Sequence, residues 1–287
     1  MNRCPQLLGR IVALTATSLV FILPVEASGD TPNVRPIPFT VYPDVPYSTF
    51  GGVVLTLDVY VPNGATSSPA VLLIHGGAWK DGDKADWAAE GEAFTQEGFV
   101  AFVANYRLAP PGGTWHAIAP VRDLHFAVKW IRANAALYGA HPSRVGALGA
   151  SSGGNLAMMI GTTGIAGVGK ADAVLSWSGS SQLALGEGDG VIANRTNYVG
   201  CELVECPEDW AAASPFFRVD GADAPTYLAN SEDEFIVLEE ATSMALALTE
   251  VGVDNQLRIL EGSRHGRAYE EDVWDESVAF LEQHLTG

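Results

Sequence analysis

Short apolar runs alternate with amphipathic stretches along most of this chain. The runs that we interpret as strands are Val53–Tyr60, Ala70–Ile74, Phe99–Ala104, Val145–Leu148, Ala173–Trp177, Thr226–Ala229 and Gln256–Leu260. Several contain no polar residue, which is typical of strands covered on both faces. Between the strands, the apolar periodicity of Val121–Leu137, Leu238–Val251 and Val273–Leu285 predicts helices. The alternation predicts an α/β fold with a doubly wound, mostly parallel sheet.

Two segments depart from this alternation. Residues 28–46 contain five prolines, which predicts an extended leader lying along the domain. Residues 179–213 are rich in Gly, Ser and acidic residues and are too long for an ordinary connection, so we expect a small cap or insertion loop there. We therefore interpret residues 28–287 as a single α/β domain that carries one small insertion.

The N-terminus has the pattern of a secretory signal peptide over residues 1–27. Arg3 and Arg10 precede the apolar run Ile11–Leu23, which is shorter than the ~20 residues needed to span a bilayer. We therefore expect a secreted or periplasmic protein without stable membrane insertion. Removal of this segment leaves Cys201 and Cys206, and an oxidising destination predicts that they form a disulfide.

Composition narrows the classes of function. An apolar content of 47% with only 17% charged residues excludes a disordered chain. The formal charge of −18 argues against nucleic acid or an anionic membrane as a partner. The sequence has no ligand spacing typical of a metal site and no phosphate-binding loop, so we expect neither a metal nor a cofactor. The oligomeric state stays open.

A glycine-flanked serine is the strongest chemical signal. In the run Gly149-Ala150-Ser151-Ser152-Gly153 a predicted strand ends and a predicted helix begins. The pattern G-x-S-x-G is typical of a tight strand-to-helix turn that presents a nucleophilic serine at the edge of a sheet. We assign the nucleophile to Ser151. Ser152 is the rival, but it would lie one residue into the helix.

A second glycine pair precedes this serine in the chain. His75-Gly76-Gly77-Ala78-Trp79 follows a buried strand. Attack of a hydroxyl on a carbonyl creates an oxyanion, which backbone N–H groups must stabilise. The loop predicts such donors at Gly76, Gly77 and Ala78, with Ser152 N–H supplying another. We interpret His75 itself as a structural residue of the loop.

The serine needs a base and an acid that orients the base. His265 follows the last predicted strand and therefore falls at the same sheet edge as Ser151, which predicts that it is the base. Asp233 follows the preceding strand, and we expect it to be the acid. Glu232 and Glu234 flank Asp233 and are alternatives.

These residues resemble the α/β-hydrolase superfamily, and more narrowly its BD-FAE-like and hormone-sensitive-lipase-like carboxylesterases. The segments that carry the resemblance are Leu57–Pro62, His75–Trp79, Gly82–Lys84, Asn105–Pro110, Val128–Asn134, Gly149–Asn155, Ser214–Pro215, Asp233 and His265–Gly266. The resemblance implies an α/β-hydrolase fold and a triad of Ser151, Asp233 and His265. Ala229-Asn230 stands where relatives usually have His-Gly, and Ala78 replaces the third glycine of the lipase loop.

The function implied by the resemblance is that of a secreted serine carboxylesterase that works through an acyl-enzyme. Its expected substrates are small-molecule or polymer-linked esters with short-chain or aryl acyl groups. Trp79, Trp87, Trp115 and Trp177 are candidates for the wall of an acyl pocket. Feruloyl, acetyl-xylan or polyester specialisation, a formamidase-like amide hydrolase and a non-catalytic binding protein are the alternatives.

Overall fold

A computed structural model describes residues 36–186 and 188–286. The predicted signal peptide, residues 1–27, lies outside the described residues. Within the described ranges, no helix is both long enough and apolar enough to cross a membrane.

The described residues contain a single sheet of eight strands. The strands are β1 (Phe39–Phe50), β2 (Val53–Pro62), β3 (Ser68–Ile74), β4 (Val100–Ala104), β5 (Ala140–Ala150), β6 (Ala173–Trp177), β7 (Thr226–Ser231) and β8 (Asn255–Leu260). Their order is β1-β2-β4-β3-β5-β6-β7-β8. The pairs β1–β2 and β2–β4 are antiparallel, and all the remaining pairs are parallel. The predicted mostly parallel sheet is confirmed.

Helices cover both faces of this sheet. They are α1 (Ala88–Gln96), α2 (Ile118–Asn134), α3 (Ser152–Thr162), α4 (Asp189–Val199), α5 (Pro207–Ala212), α6 (Leu238–Glu250) and α7 (Glu270–Leu285). Helices α2, α3 and α6 pack in one apolar core and α1 and α7 in the other. Successive residues of β4 enter alternate cores, Phe102 the first and Val103 the second, because side chains alternate across a strand. The doubly wound arrangement is thus confirmed.

Strand β1 is the main departure from the predicted elements. The prolines of this region predicted an extended leader and no strand, but residues 39–50 pair with β2 at the edge of the sheet, from Phe39 opposite Pro62 to Phe50 opposite Val53. The register shifts between Tyr42 and Val45 and again after Pro46. An edge strand with such irregularities tolerates proline, because only one of its sides must supply hydrogen bonds.

The segment 179–213 forms two helices, α4 and α5, and a short 3-10 helix, Leu183–Leu185. Arg195 of α4 is buried and donates to Glu240 Oε1 at 2.5 Å and to Leu183 O at 2.8 Å. Burial raises the pKa of Glu240, and the guanidinium opposes that shift. The predicted disulfide between Cys201 and Cys206 is present in the structure. These contacts fix the segment to the body of the domain.

Candidate active site

Ser151 lies at the turn between β5 and α3. Its backbone has φ 57° and ψ −124°, a left-handed conformation that costs an L-residue about 1–3 kcal/mol. The Ser151 N–H donates to Trp177 O at 2.8 Å, and the Asn155 N–H donates to Ser151 O at 3.1 Å. These hydrogen bonds hold the strained turn that a presented nucleophile requires.

The glycines of the motif are required by close backbone contacts. A Cβ on Gly149 would lie 2.1 Å from Gly153 O, and a Cβ on Gly153 would lie 2.2 Å from Ile74 O. Both distances are far below any allowed contact, and the obstacles are backbone atoms that cannot move aside. The turn therefore folds only with glycine at both positions, as the sequence motif predicted.

The loop after β3 approaches the same turn. A Cβ on Gly76 would lie 2.9 Å from Ala150 O, and Gly77 and Ala78 have φ of 115° and 52°. No described residue accepts a hydrogen bond from the N–H of Gly76, Gly77 or Ala78. Ser152 opens α3, where the first N–H groups of a helix have no partner within the helix. This arrangement has the donors that an oxyanion needs.

His75 is held inside this loop. Its side chain is buried, its Nδ1 lies 2.8 Å from Gly76 O, and its ring stacks on Tyr106 with centroids 4.3 Å apart. Because a carbonyl only accepts, Nδ1 must carry the proton and donate. Burial lowers the pKa of His75, so the neutral ring is favoured. Its contacts are those of a structural residue of the loop.

The structure corrects the predicted acid. Glu234, not Asp233, lies against His265: its Oε2 contacts His265 Nδ1, and its side chain is fully buried. Asp233 is exposed to solvent. Strand β7 continues to Ser231, two residues beyond its predicted end, and the Asp233 N–H is bound to Gly262 O at 3.0 Å. That turn directs the side chain of Asp233 outward and that of Glu234 inward.

The carboxylate of Glu234 has further partners. Its Oε1 accepts from Ser178 Oγ at 2.7 Å and from the Ser231 N–H at 2.9 Å. Ser178 is itself buried and accepts from the Gly266 N–H at 2.8 Å. The hydroxyls of Ser178 and Tyr269 are 2.7 Å apart. Ser178 could not be recognised from the sequence, because a serine in a Gly/Ser-rich stretch gives no signal of this contact.

Ser151 and His265 border one open cavity of about 350 Å³. The predicted loop residues Gly76 and Gly77 also line it, whereas Ala78 and Ser152 do not. The remaining wall includes Asp86, Trp87, Gly266 and Arg267. The structure thus brings the serine, the histidine and two candidate oxyanion donors to the same space.

Of the predicted acyl-pocket tryptophans, Trp87 lines this cavity and the other three do not. Trp79 is buried, stacks on Tyr198 at 4.3 Å, and donates to Asn155 Oδ1 at 3.2 Å. Trp177 is fully buried and donates to Ser277 Oγ at 3.1 Å. Both are core residues, so these two assignments are wrong. Trp115 borders a different cavity, whereas Trp87, although buried, borders the same cavity as Ser151, as predicted.

One cation borders the candidate site. The guanidinium of Arg267 lies 5.3 Å from the Trp87 ring centroid, donates to Asp86 O at 2.6 Å, and pairs with the buried carboxylate of Glu90. Arg267 is therefore attached to the segment around α1 and is already neutralised by a buried carboxylate.

Glu270 lies close to this pair. Burial and the proximity of Glu90 raise the pKa of the Glu270 carboxyl to about 7.

The sheet order, the strand–serine–helix turn and the histidine after β8 define an α/β-hydrolase fold. The chain belongs to the BD-FAE family, whose model matches residues 57–248. Two solved structures show the same fold. A truncated carbohydrate esterase from gut microbiota has a TM-score of 0.76 at 22% identity, covering 86% of this chain and 97% of that one. A thermophilic esterase from Thermogutta terrifontis has a TM-score of 0.70 at 23% identity, covering 85% and 92%.

Curated relatives are similar over shorter regions. Carboxylesterase NlhH of Mycobacterium tuberculosis is 36% identical over 98 residues, which are 32% of this chain and 28% of that protein. The arylacetamide deacetylase of Bos taurus is 34% identical over 114 residues, covering 36% and 27%. A probable isoprenylcysteine alpha-carbonyl methylesterase of Arabidopsis thaliana is 26% identical over 239 residues, covering 75% and 49%. The matched regions thus span less than half of these relatives.

Proposed function

We propose that this protein is an exported serine carboxylesterase with Ser151 as nucleophile, His265 as base and Glu234 as the acid that orients the base. The observation that carries the proposal is that Ser151 and His265 share one cavity while Glu234 holds the opposite side of the imidazole ring. The N-terminal signal pattern and the disulfide support export to an oxidising compartment.

The geometry supports a two-step acyl transfer. Glu234 keeps the proton of His265 on Nδ1, so that Nε2 is free to take the proton of Ser151 Oγ as it attacks the ester carbonyl. The N–H groups of Gly76, Gly77 and Ser152 stabilise the oxyanion. His265 then protonates the departing alcohol, and water repeats the attack on the acyl-enzyme. Glu234 stabilises the imidazolium that forms in each step.

The cavity favours esters with small acyl groups. About 350 Å³ of space that opens to solvent suits a short-chain or small aryl acyl group, and Trp87 offers an aromatic wall. An open mouth also suits an ester carried on a polymer, and the charge of −18 disfavours polyanionic substrates.

Hydrolysis of a chain-length series of p-nitrophenyl esters beside methyl ferulate tests this proposal. We expect fastest turnover of the short acyl chains and a loss of several orders of magnitude in Ser151→Ala. One of the structural neighbours, Thermogutta terrifontis esterase 2, has been solved phosphorylated by paraoxon. This supports a second readout, which is covalent labelling by a fluorophosphonate probe. Mass spectrometry should place the label on Ser151 rather than Ser152. A folded protein that neither turns over esters nor takes the label would be a binding protein instead.

A further inference from the structure

A second cavity, separate from the candidate active site, lies beside α2. Its volume is about 720 Å³, roughly twice that of the first and within the usual range of small-molecule sites. Of the described residues, none lines both cavities. Met159 in its wall follows Ser151 by two turns of α3, which places the two residues about 12 Å apart along the helix axis.

The wall of this second cavity is largely apolar. Side chains of α2, of the far end of α3 and of the region around α5 contribute to it, among them Val121, Phe126, Met159 and Val199. At its border, Ile118 is 76% exposed and adds apolar surface to the mouth of the cavity. The cavity therefore favours a ligand with an apolar body.

Cations interrupt this apolar wall. Arg107, Arg122 and Arg218 line the cavity, whereas Asp209 is its one acidic lining residue among those described. Arg107 is neutralised by Asp123, with Nη2 and Oδ1 2.6 Å apart. The cavity thus keeps a positive balance in a chain whose formal charge is −18.

Arg122 is the cation best placed to meet an anion. No described carboxylate lies within ion-pair distance of Arg122, and its guanidinium rests on the ring of Phe50, 4.7 Å from the centroid. Arg218 likewise has no described carboxylate partner and donates only to Ala212 O, at 3.3 Å. A guanidinium held by an aromatic face keeps its N–H groups free to bind a carboxylate in bidentate fashion.

We propose that this second cavity binds a monocarboxylate with an aromatic or aliphatic body, with Arg122 as the main contact for the carboxylate. The apolar wall supplies burial for the body, and the guanidinium supplies recognition of the charge. A single negative charge fits better than a polyanion, because the net charge of the protein repels multiply charged ligands. The inference does not depend on the proposed esterase activity, because it uses none of the residues of the first cavity.

Calorimetric titration of the whole chain with 4-phenylbutyrate tests this site, with 4-phenyl-1-butanol as the neutral match. We expect saturable binding of the acid and at least about tenfold weaker binding of the alcohol. Arg122→Gln should weaken the binding of 4-phenylbutyrate about tenfold or more. Lys129→Gln removes an exposed cation of the same helix that does not line the cavity and approaches it only across the Phe126 ring, with Nζ 6.0 Å from the ring centroid, so it should leave the affinity nearly unchanged.

A cavity-filling variant locates the ligand. Val121→Trp should abolish binding of 4-phenylbutyrate, while circular dichroism and the thermal melt confirm that this variant and Arg122→Gln are folded. Unchanged affinity in Val121→Trp would overturn the site. Equal affinity of the acid and the alcohol, or an effect of Lys129→Gln as large as that of Arg122→Gln, would overturn the proposed recognition of a carboxylate.

Discussion

Replacing Glu234 by Gln is the sharpest test of the candidate triad, because the change alters hydrogen bonding without altering shape. In the native site, Oε1 of Glu234 accepts from Ser178 and Ser231, and Oε2 faces His265 Nδ1. In Glu234→Gln the amide oxygen keeps the two donors, so the NH₂ group must face His265. An imidazole can face a donor only by accepting at Nδ1, which moves its proton to Nε2.

That tautomer cannot take the proton of Ser151. In a serine triad, an Asp-to-Asn change of the same kind lowers kcat about 10⁴-fold. This fold-change corresponds to about 5 kcal/mol of transition-state stabilisation. We therefore expect Glu234→Gln to lower kcat for p-nitrophenyl acetate by roughly three to four orders of magnitude and to change KM far less.

Asp233→Asn is the matched control. It removes the same charge from the adjacent residue, but Asp233 is exposed and does not contact His265. We expect its kcat to stay within about threefold of the wild type, since surface substitutions of this kind have small effects. A large loss in Asp233→Asn with near-normal activity in Glu234→Gln would return the acid to Asp233. Near-normal activity in both variants would refute the triad.

Three further outcomes follow from contacts around the site. Ser178→Ala removes a hydrogen bond to Glu234 and should lower kcat about 10- to 100-fold and displace the acid limb of the pH–rate profile. Because the pKa of Glu270 is raised to about 7 in the folded state, the free energy of unfolding should fall by about 1 kcal/mol as the pH rises from 5 to 8. Urea unfolding at several pH values should show that Glu270→Gln has lost this pH dependence, whereas Glu271→Gln keeps it. Cys201→Ser should lower the free energy of unfolding, measured in urea, by about 2 kcal/mol. Dithiothreitol should lower that of the wild type by the same amount and should leave that of the variant unchanged.

The sequence was sufficient for the parallel sheet and the serine turn because both depend on local requirements. Central strands such as β4 are buried on both faces, so their sequences are continuous apolar runs that mark their positions directly. Gly149 and Gly153 are required by backbone contacts that any such turn makes. Strand β1 escaped prediction because its prolines argue against pairing everywhere except at an edge, and edge position is a property of the whole sheet.

The acid and the tryptophans depend on contacts between distant segments. Three consecutive acidic residues could face His265. The end of β7 and the hydrogen bond from the Asp233 N–H to Gly262 O decide which of them does. The replacement of His-Gly by Ala229-Asn230 was the one departure from the family pattern close to these acidic residues. The side chain of Trp177 points into the core on one face of the sheet. The residue type alone does not say which face of the sheet an aromatic side chain occupies.

The backbone contacts around the serine have a consequence for changing the specificity of this protein. Gly153 packs against Ile74 O, and Gly76 packs against Ala150 O, so the turn at Ser151 and the loop after β3 meet main chain to main chain. No side chain separates them at these contacts. Substitutions of side chains in the cavity wall, such as Arg267, can therefore reshape the space available to a substrate while the spacing between the candidate nucleophile and the candidate N–H donors stays fixed. Reaction geometry and substrate choice are separately adjustable, which makes the cavity wall the place to begin a directed-evolution library.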